Sequence, residues 1–408
     1  MNIGIIDAEI VGKSKHRFPN LCSMKISAYH KARGDNVTLL LSYDDISQYD
    51  KVYISKVFIK TDLPCERTDI VKTEQNCIEF YHDHPILNLP NVEYGGTGFF
   101  YGEAPNLSDE VEHIMPDYDL YNEWVDWCID NGAKTSEFKY YQNYSIGFAT
   151  RGCFRKCSFC VNKKYGQCML HSPIKEFVDI NRPKICLLDD NLFACADWKD
   201  IIAEIKSFRK PFQFKQGLDE RLITIEKAQE MATWMYDGDY IFAFDNIQDK
   251  DIITKNINIL NQYLGSGKRK KFYVFCGYDR NDKYDSDFYE RDVEEMLERV
   301  LILRRKRCLP YIMRHENYLK SPYKWLYIGI SSWCNQPSLF KTFDFETFFK
   351  CKQMGTKYSK YKRDIDRYLQ DGGRKNENWR SFDKFVETHK GIYNRYFKEQ
   401  WYDQNKIT

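Results

Sequence analysis

Cys153, Cys157 and Cys160 stand in the run Arg-Gly-Cys-Phe-Arg-Lys-Cys-Ser-Phe-Cys, so one short loop offers three thiolates at Cys-x3-Cys-x2-Cys spacing. Two kinds of centre suit such a set. A structural zinc closes with a fourth protein ligand, for which Cys168 and His171 are the nearest candidates. A cubane iron–sulfur cluster can take three thiolates and leave one iron open. The loop follows an apolar run at 145–149, and in parallel α/β barrels chemistry collects at the carboxyl ends of strands. Polar groups follow later apolar runs in the same way. They are Asp189-Asp190-Asn191, Gln216-Gly217-Leu218-Asp219-Glu220-Arg221, Asp245-Asn246 and Cys276-Gly277-Tyr278.

The elements that would position these residues are legible as periodicities. Runs at 145–149, 184–188, 212–215, 240–244, 271–275 and 310–313 read as strands. They recur about every 30–40 residues, the size of one βα unit. Between them, Trp198, Ile201, Ile202, Ile205 and Phe208 form a helical stripe that Asp197 can cap. Ile225, Ala228, Met231, Ala232 and Met235 form another behind Thr224, and Val293, Met296, Leu297, Val300 and Leu301 a third. Upstream, strands at 2–7, 37–41, 51–55 and 92–94, with a helix carrying Leu21, Met24 and Ala28, give a small α/β unit. The fold class is therefore α/β, with 1–120 a first domain, 140–325 a strand–helix repeat and 326–408 a helical extension.

The cysteine spacing, with Phe159 before the third cysteine, resembles the signature of the radical S-adenosylmethionine superfamily. The resemblance implies a partial (β/α)6 barrel and a [4Fe-4S] cluster on Cys153, Cys157 and Cys160. The open iron would be chelated by the amino and carboxylate groups of S-adenosylmethionine, and one electron would cleave that cofactor to a 5′-deoxyadenosyl radical. The cofactor needs acceptors, a cation or amide donors, and an apolar slot. Asp189 and Asp190 can accept from its ammonium or ribose, or simply cap a helix. Asp-Asp-Asn looks like the variant of methylthiotransferase and cobalamin-type members. Arg221 can clamp the carboxylate through its fork, with Gln216 or Asp219 at the ribose, or pair with Asp219 as an ordinary ion pair. Asp245 faces cofactor or substrate, Gly277 allows adenine against the strand, and Phe159 packs on the ring or fills the core.

Residues 1–120 resemble a trimmed, Rossmann-like cobalamin-binding domain through Phe18-Pro19-Asn20-Leu21, the 51–55 strand, the Gly95-Gly96 turn and Pro116-Asp117-Tyr118-Asp119-Leu120. The Asp-x-His-x-x-Gly of a lower cobalt ligand is absent, so cobalamin is expected less than the other two cofactors. Three functions follow. The first is a radical enzyme acting on a nucleic acid or a nucleotide-like metabolite and fed by a flavodoxin- or ferredoxin-like electron donor. The second is a cobalamin-assisted methyltransferase or rearrangement enzyme. The third is a nucleic-acid-binding module with a structural metal.

Composition narrows the setting. A formal charge of +2 gives no global pull toward nucleic acid or membrane. No apolar run approaches the roughly 20 residues of a spanning helix. Fourteen cysteines scattered over a chain without an export signal suit reduced thiols in a cytoplasm. Cys308, Cys334 and Cys351 are isolated and expected in the core, His82-Asp83-His84 on the surface, and 268–271 in a solvated turn. Residues 341–408 hold 16 Lys/Arg against 10 Asp/Glu, interleaved with Tyr358, Tyr361, Tyr368, Trp379, Tyr393, Tyr396 and Trp401. That mixture suits an amphipathic helical cap, or phosphate attraction with base stacking.

Overall fold

A computed structural model describes residues 1–162, 164–265, 268–355 and 364–397. The chain divides into two compact units. One consists of 1–216 with 234–237, the other of 217–233 with the residues from 238 onward.

The first unit begins with β1 (Asn2–Asp7), β2 (Asn36–Leu39), β3 (Lys51–Ser55) and β4 (Val92–Gly95). They form a parallel sheet in the order β2-β1-β3-β4, with Ile5 opposite both Leu39 and Tyr53. Ile3, Ile5 and Ile6 are no more than 1 % exposed, as a central parallel strand covered on both faces requires. The helix Leu21–Ala32 is capped by Asn20, which accepts from the Ser23 N–H at 3.3 Å. Met24, Tyr118, Trp124 and Phe138 pack against Ile3 and Ile5 in one core.

The same unit continues through β5 (Tyr144–Gly147), β6 (Thr150–Arg151), β7 (Met169–Leu170), β8 (Lys184–Leu187) and β9 (Phe212–Phe214). β5, β8 and β9 pair in parallel, with Gly147 opposite Leu187 and Leu187 opposite Phe214. This register brings the carboxyl ends of β5 and β8 to one level. β6 and β7 form a two-residue antiparallel clasp, Thr150 with Leu170 and Arg151 with Met169.

In the second unit β10 (Tyr240–Ala243), β11 (Lys270–Cys276) and β12 (Leu309–Arg314) form a second parallel sheet in that order. All six expected strands are thus present, but as two three-stranded sheets. The reason lies at β9. Its outer edge is taken by 234–237: Phe212 donates to the Met235 carbonyl at 3.0 Å, and Asp237 donates back to the Phe212 carbonyl at 2.8 Å. Thr224 caps Ile225–Ala232 through the Lys227 N–H at 3.2 Å, whereas Asp197 precedes Trp198–Ser207 without a side-chain cap bond.

The described part of the C-terminal region is helical, from Lys324–Cys334 through Lys390–Tyr396. Its aromatic residues face inward. Phe345 and Phe382 are fully buried, Trp379 is 1 % exposed, and Tyr368 stacks on Trp379 at 6.2 Å. Tyr396 is also buried and Tyr393 half-buried; Tyr358, Tyr361 and Trp401 lie outside the described residues. The basic run differs from expectation. Lys270 and Lys271 begin β11, and Lys270 is buried with its ammonium on the Lys268 carbonyl at 3.2 Å. Among the described residues no helix is long and apolar enough to cross a membrane.

Candidate metal and cofactor site

Asp189 follows β8 and is fully buried. Its Oδ1 accepts from the Thr150 N–H at 2.6 Å and the Thr150 hydroxyl at 2.7 Å, and its Oδ2 from the Ala149 N–H at 3.2 Å. Burial pushes this carboxyl up to about 6 despite those donors. Asp190, half-buried, accepts from the Gly152 N–H at 2.8 Å. Asn191 donates from Nδ2 to Cys153 Sγ at 3.3 Å, and the Arg155 N–H reaches the same sulfur at 3.3 Å. Three consecutive side chains at one strand end therefore hold the backbone at 149–152 and the first cysteine.

The loop they hold is shaped by its own residues. Gly152 has φ +91°, and a Cβ there would stand 2.3 Å from the Gln167 carbonyl oxygen, so only glycine fits without displacement. The Cys160 N–H donates to the Cys157 carbonyl at 3.0 Å, and all three cysteines are half-buried. The β6–β7 clasp ties the two ends, and the His171 N–H extends it to the Ala149 carbonyl at 2.8 Å.

Beneath the clasp lies Glu112, which sequence reasoning missed. Its Oε1 meets Lys25 Nζ at 2.7 Å, His171 Nε2 at 2.9 Å and the Arg151 guanidinium at 3.4 Å. Burial alone would raise this carboxyl, but the His171 hydrogen bond and the Lys25 and Arg151 charges hold it at about 2. The Arg151 guanidinium also lies 3.4 Å over the Phe148 ring. No local sequence pattern marks Glu112, because its partners come from three distant segments.

The donor set fits a cluster bound through three thiolates. The Cys153 sulfur takes two N–H donors, the kind of outer hydrogen bonding that orients and tunes a metal-bound thiolate. The closed zinc alternative fits less well. Burial raises the Cys168 thiol, and His171 Nε2 is hydrogen-bonded to Glu112. Among the described residues no three His, Cys, Asp or Glu side chains converge as a single-ion site.

The remaining expected ligands are placed as follows. Gln216 is exposed just past β9, and Phe159 is half-buried. In the second unit, Arg221 Nε bonds Asp219 at 2.9 Å and its NH1 bonds Asp249 at 3.1 Å, which realises the ordinary ion pair. Asp245 accepts from the Phe275 N–H at 3.1 Å, and burial raises its carboxyl. Gly277, at φ +77°, donates its N–H to Asp292 at 2.7 Å. Glu220, between Asp219 and Arg221, is 1 % exposed with no hydrogen-bond partner for either oxygen among the described residues. Burial, then the Asp219 charge, pushes it up to about 9.

Cys308, Cys334 and Cys351 are buried, as expected of small core residues. His82 pairs with Asp83 at the surface, but His84 is buried, so the two imidazoles do not make a ligand pair.

No protein-family model matches the sequence, and no curated protein is similar to it. Among solved structures it is similar to two of the cobalamin-dependent S-adenosylmethionine radical enzyme OxsB. The apo form matches with a TM-score of 0.34 and 10 % identity, over 77 % of this chain and 49 % of that one. The form with aqua-cobalamin bound matches with a TM-score of 0.31 and 11 % identity, over 93 % and 63 %. The chain thus spans about half to somewhat under two thirds of that protein's length.

Proposed function

We propose that the chain is a radical S-adenosylmethionine enzyme whose cluster is held by Cys153, Cys157 and Cys160. When bound, the cluster and S-adenosylmethionine supply a one-electron reductive cleavage that yields a carbon radical able to abstract hydrogen from the substrate. The protein's part is to fix three thiolates at one strand end and to exclude water around them. Asp189 ties down 149–150, Asp190 ties down Gly152, and Asn191 orients the Cys153 sulfur. Asp190 keeps its second oxygen for the cofactor's ammonium. Arg221 and Asp219 are read as an ion pair of the second unit rather than as cofactor ligands.

The observation that carries the reading is that Asp-Asp-Asn and the cysteine loop, whose bonded residues stand 38 to 40 apart in sequence, lock together across β5 and β8. A small, nucleotide-like substrate is favoured over a polymer, because Tyr368, Trp379 and Tyr396 are buried and offer no face for base stacking. The cobalamin reading has less support in the first sheet. At its strand ends Asp7 accepts from Tyr121, Ser55 bonds Ser23, and Lys56 is buried on the Ile59 and Gly98 carbonyls and Tyr81. These groups are already engaged with one another.

Anaerobic reconstitution tests the proposal. About four irons per chain, a cubane EPR signal on reduction and formation of 5′-deoxyadenosine with dithionite are expected. Zinc at one per chain without 5′-deoxyadenosine would overturn it, and a corrinoid absorbance after reconstitution would move the assignment to the cobalamin-assisted enzyme.

A further inference from the structure

Lys215 directly follows β9, and the alternation of that strand sets it on the half-buried face of Gln213, while Phe212 and Phe214 are buried on the other. Neutral groups hold it. Its Nζ donates to the Tyr140 hydroxyl oxygen at 3.1 Å, and Gln213 Nε2 reaches the same oxygen at 3.1 Å. The ammonium lies 4.4 Å from the centroid of the Tyr140 ring and 5.6 Å from that of Phe18. Among the described residues no carboxylate pairs with it. An ammonium has three N–H donors, and Tyr140 takes one of them. Drawing a cation partly out of water is costly unless an anion meets it, and ring faces return only part of that cost. The surroundings add positive charge. Lys139 Nζ also lies over the Tyr140 ring, at 5.0 Å, and the loop that delivers Phe18 reads Lys13-Ser14-Lys15-His16-Arg17. Of that run only Lys13 approaches a carboxylate among the described residues, Glu9 at 3.9 Å.

We propose that Lys215 is the anion-recognition residue of the substrate site, so that the substrate carries a phosphate or carboxylate group which this ammonium grips. The inference rests on the function proposed above and adds which group of the substrate the protein holds, and with which side chain. Position supports it. The Lys215 N–H donates to the Leu187 carbonyl at 2.8 Å, so the side chain stands at the carboxyl end of β9, level with the last residue of β8. Two residues beyond Leu187 begins Asp189-Asp190-Asn191, which holds the cysteine loop. Phe18, Phe148 and Leu188 pack in one cluster with Tyr140 and make an apolar wall beside the cation. A lysine set in a ring-lined wall suits a small molecule with one anionic end and one planar or apolar end. Tyr140 is then a positioning residue, since it acts on the substrate only through Lys215. The cofactor's own carboxylate is committed to the cluster in the reading above, which leaves Lys215 for the substrate.

The test uses the full-length protein with inorganic phosphate and acetate as probes, each titrated at constant ionic strength into the parent, Lys215→Met, Lys215→Arg and Tyr140→Phe. Binding is read by intrinsic fluorescence and by the shift of the thermal melt, neither of which needs the cluster. Phosphate should bind the parent more tightly than acetate; the reverse order would name the gripped group a carboxylate. Lys215→Met keeps the side chain's length without its charge and should lose about tenfold or more in anion affinity. Lys215→Arg keeps the charge and should retain most of the affinity, and Tyr140→Phe should fall between the two. In reconstituted protein, S-adenosylmethionine should bind the parent and Lys215→Met alike. Equal anion affinity in parent and Lys215→Met, or no saturable binding of either anion, would overturn the inference, while a cluster and 5′-deoxyadenosine in the same protein would leave the enzyme reading intact. Weaker S-adenosylmethionine binding in Lys215→Met would make the gripped anion the cofactor's carboxylate and overturn the assignment to substrate. A zinc-bearing protein that forms no 5′-deoxyadenosine, yet binds phosphate through Lys215, would overturn the enzyme reading and the substrate assignment with it.

Discussion

Asp189→Asn separates the energetic roles of the buried carboxylate. The amide keeps one acceptor where the carboxylate has two. Its oxygen can retain both Thr150 donors, now at 2.6 and 2.7 Å from Oδ1, but its nitrogen then faces the Ala149 N–H, donor against donor. Losing one hydrogen bond to a charged group costs about 1.5–3 kcal/mol, and the stranded donors add about 1–3 kcal/mol.

Against that stands the cost of the charge itself. The carboxyl rises from 3.8 to about 6 on folding. A shift of about two units corresponds to roughly 3 kcal/mol. Its sign is fixed by linkage: the folded state binds the proton more tightly, so this contribution is present below about pH 4 and is lost as the pH rises through about 6. At pH 7 the amide escapes that cost, so roughly 3 kcal/mol offsets the roughly 2.5–6 kcal/mol lost and leaves a net destabilisation of about zero to 3 kcal/mol.

Global stability at pH 7 should therefore fall by no more than about 3 kcal/mol, while the tether at 149 is broken. The expected outcome is a melting temperature within a few degrees of the parent, a flatter stability profile between pH 4 and 6, and faster iron release to a chelator. Circular dichroism melts over that pH range, with iron content and release kinetics, check it. A variant that holds iron as long as the parent would refute the positioning role. One that loses the pH dependence but unfolds outright at pH 7 would refute the offset.

Three further outcomes are expected. Gly152→Ala combines a positive φ with a Cβ 2.3 Å from a carbonyl oxygen. It should cost about 1–3 kcal/mol in backbone strain alone and reduce bound iron, as measured by iron content beside a thermal melt. Glu220→Gln should stabilise the protein more at pH 8 than at pH 5. The parent's carboxyl, raised to about 9 by burial, contributes stability that is present below its unfolded value and falls away as the pH climbs toward 9. Denaturant unfolding at the two pH values reads the difference. Trp379→Ala should cost about 3–5 kcal/mol as a cavity in the C-terminal core, and chemical denaturation followed by tyrosine and tryptophan fluorescence measures it.

Much of this was readable from sequence because it is local. β8 announces itself as an apolar run, and Asp-Asp-Asn follows its last residue after only Leu188, so the level of those side chains follows from the strand. The cysteine loop was legible for the same reason. What was not legible is set by distant segments. The strand ends were expected to present their carboxylates to a ligand, yet Asp189 is filled by donors from 149–150, a use that becomes visible only once β5 and β8 pair. Glu112 gave no signal because Lys25, Arg151 and His171 converge on it from separate parts of the chain. The aromatic tail could have been cap or platform, since composition is the same for both. Burial of Trp379 and Phe382 decides it for the described rings. Lys270 reads as turn from charge alone, but a strand beginning one residue earlier than expected draws it inside.

The four residues at 234–237 that line the edge of β9 also govern how this chain can be cut. A polypeptide ending at 216 would keep β9 but lose its edge partner, leaving the Phe212 N–H and carbonyl open and a sheet margin ready to recruit another chain. A polypeptide starting at 217 would carry 234–237 away from the strand they cover. Because the backbone leaves the first unit, returns to it and leaves again, neither half is a self-sufficient module. Limited proteolysis between the units should therefore yield fragments that stay associated or precipitate, and a screen for soluble pieces should fail at every single breakpoint between 216 and 238.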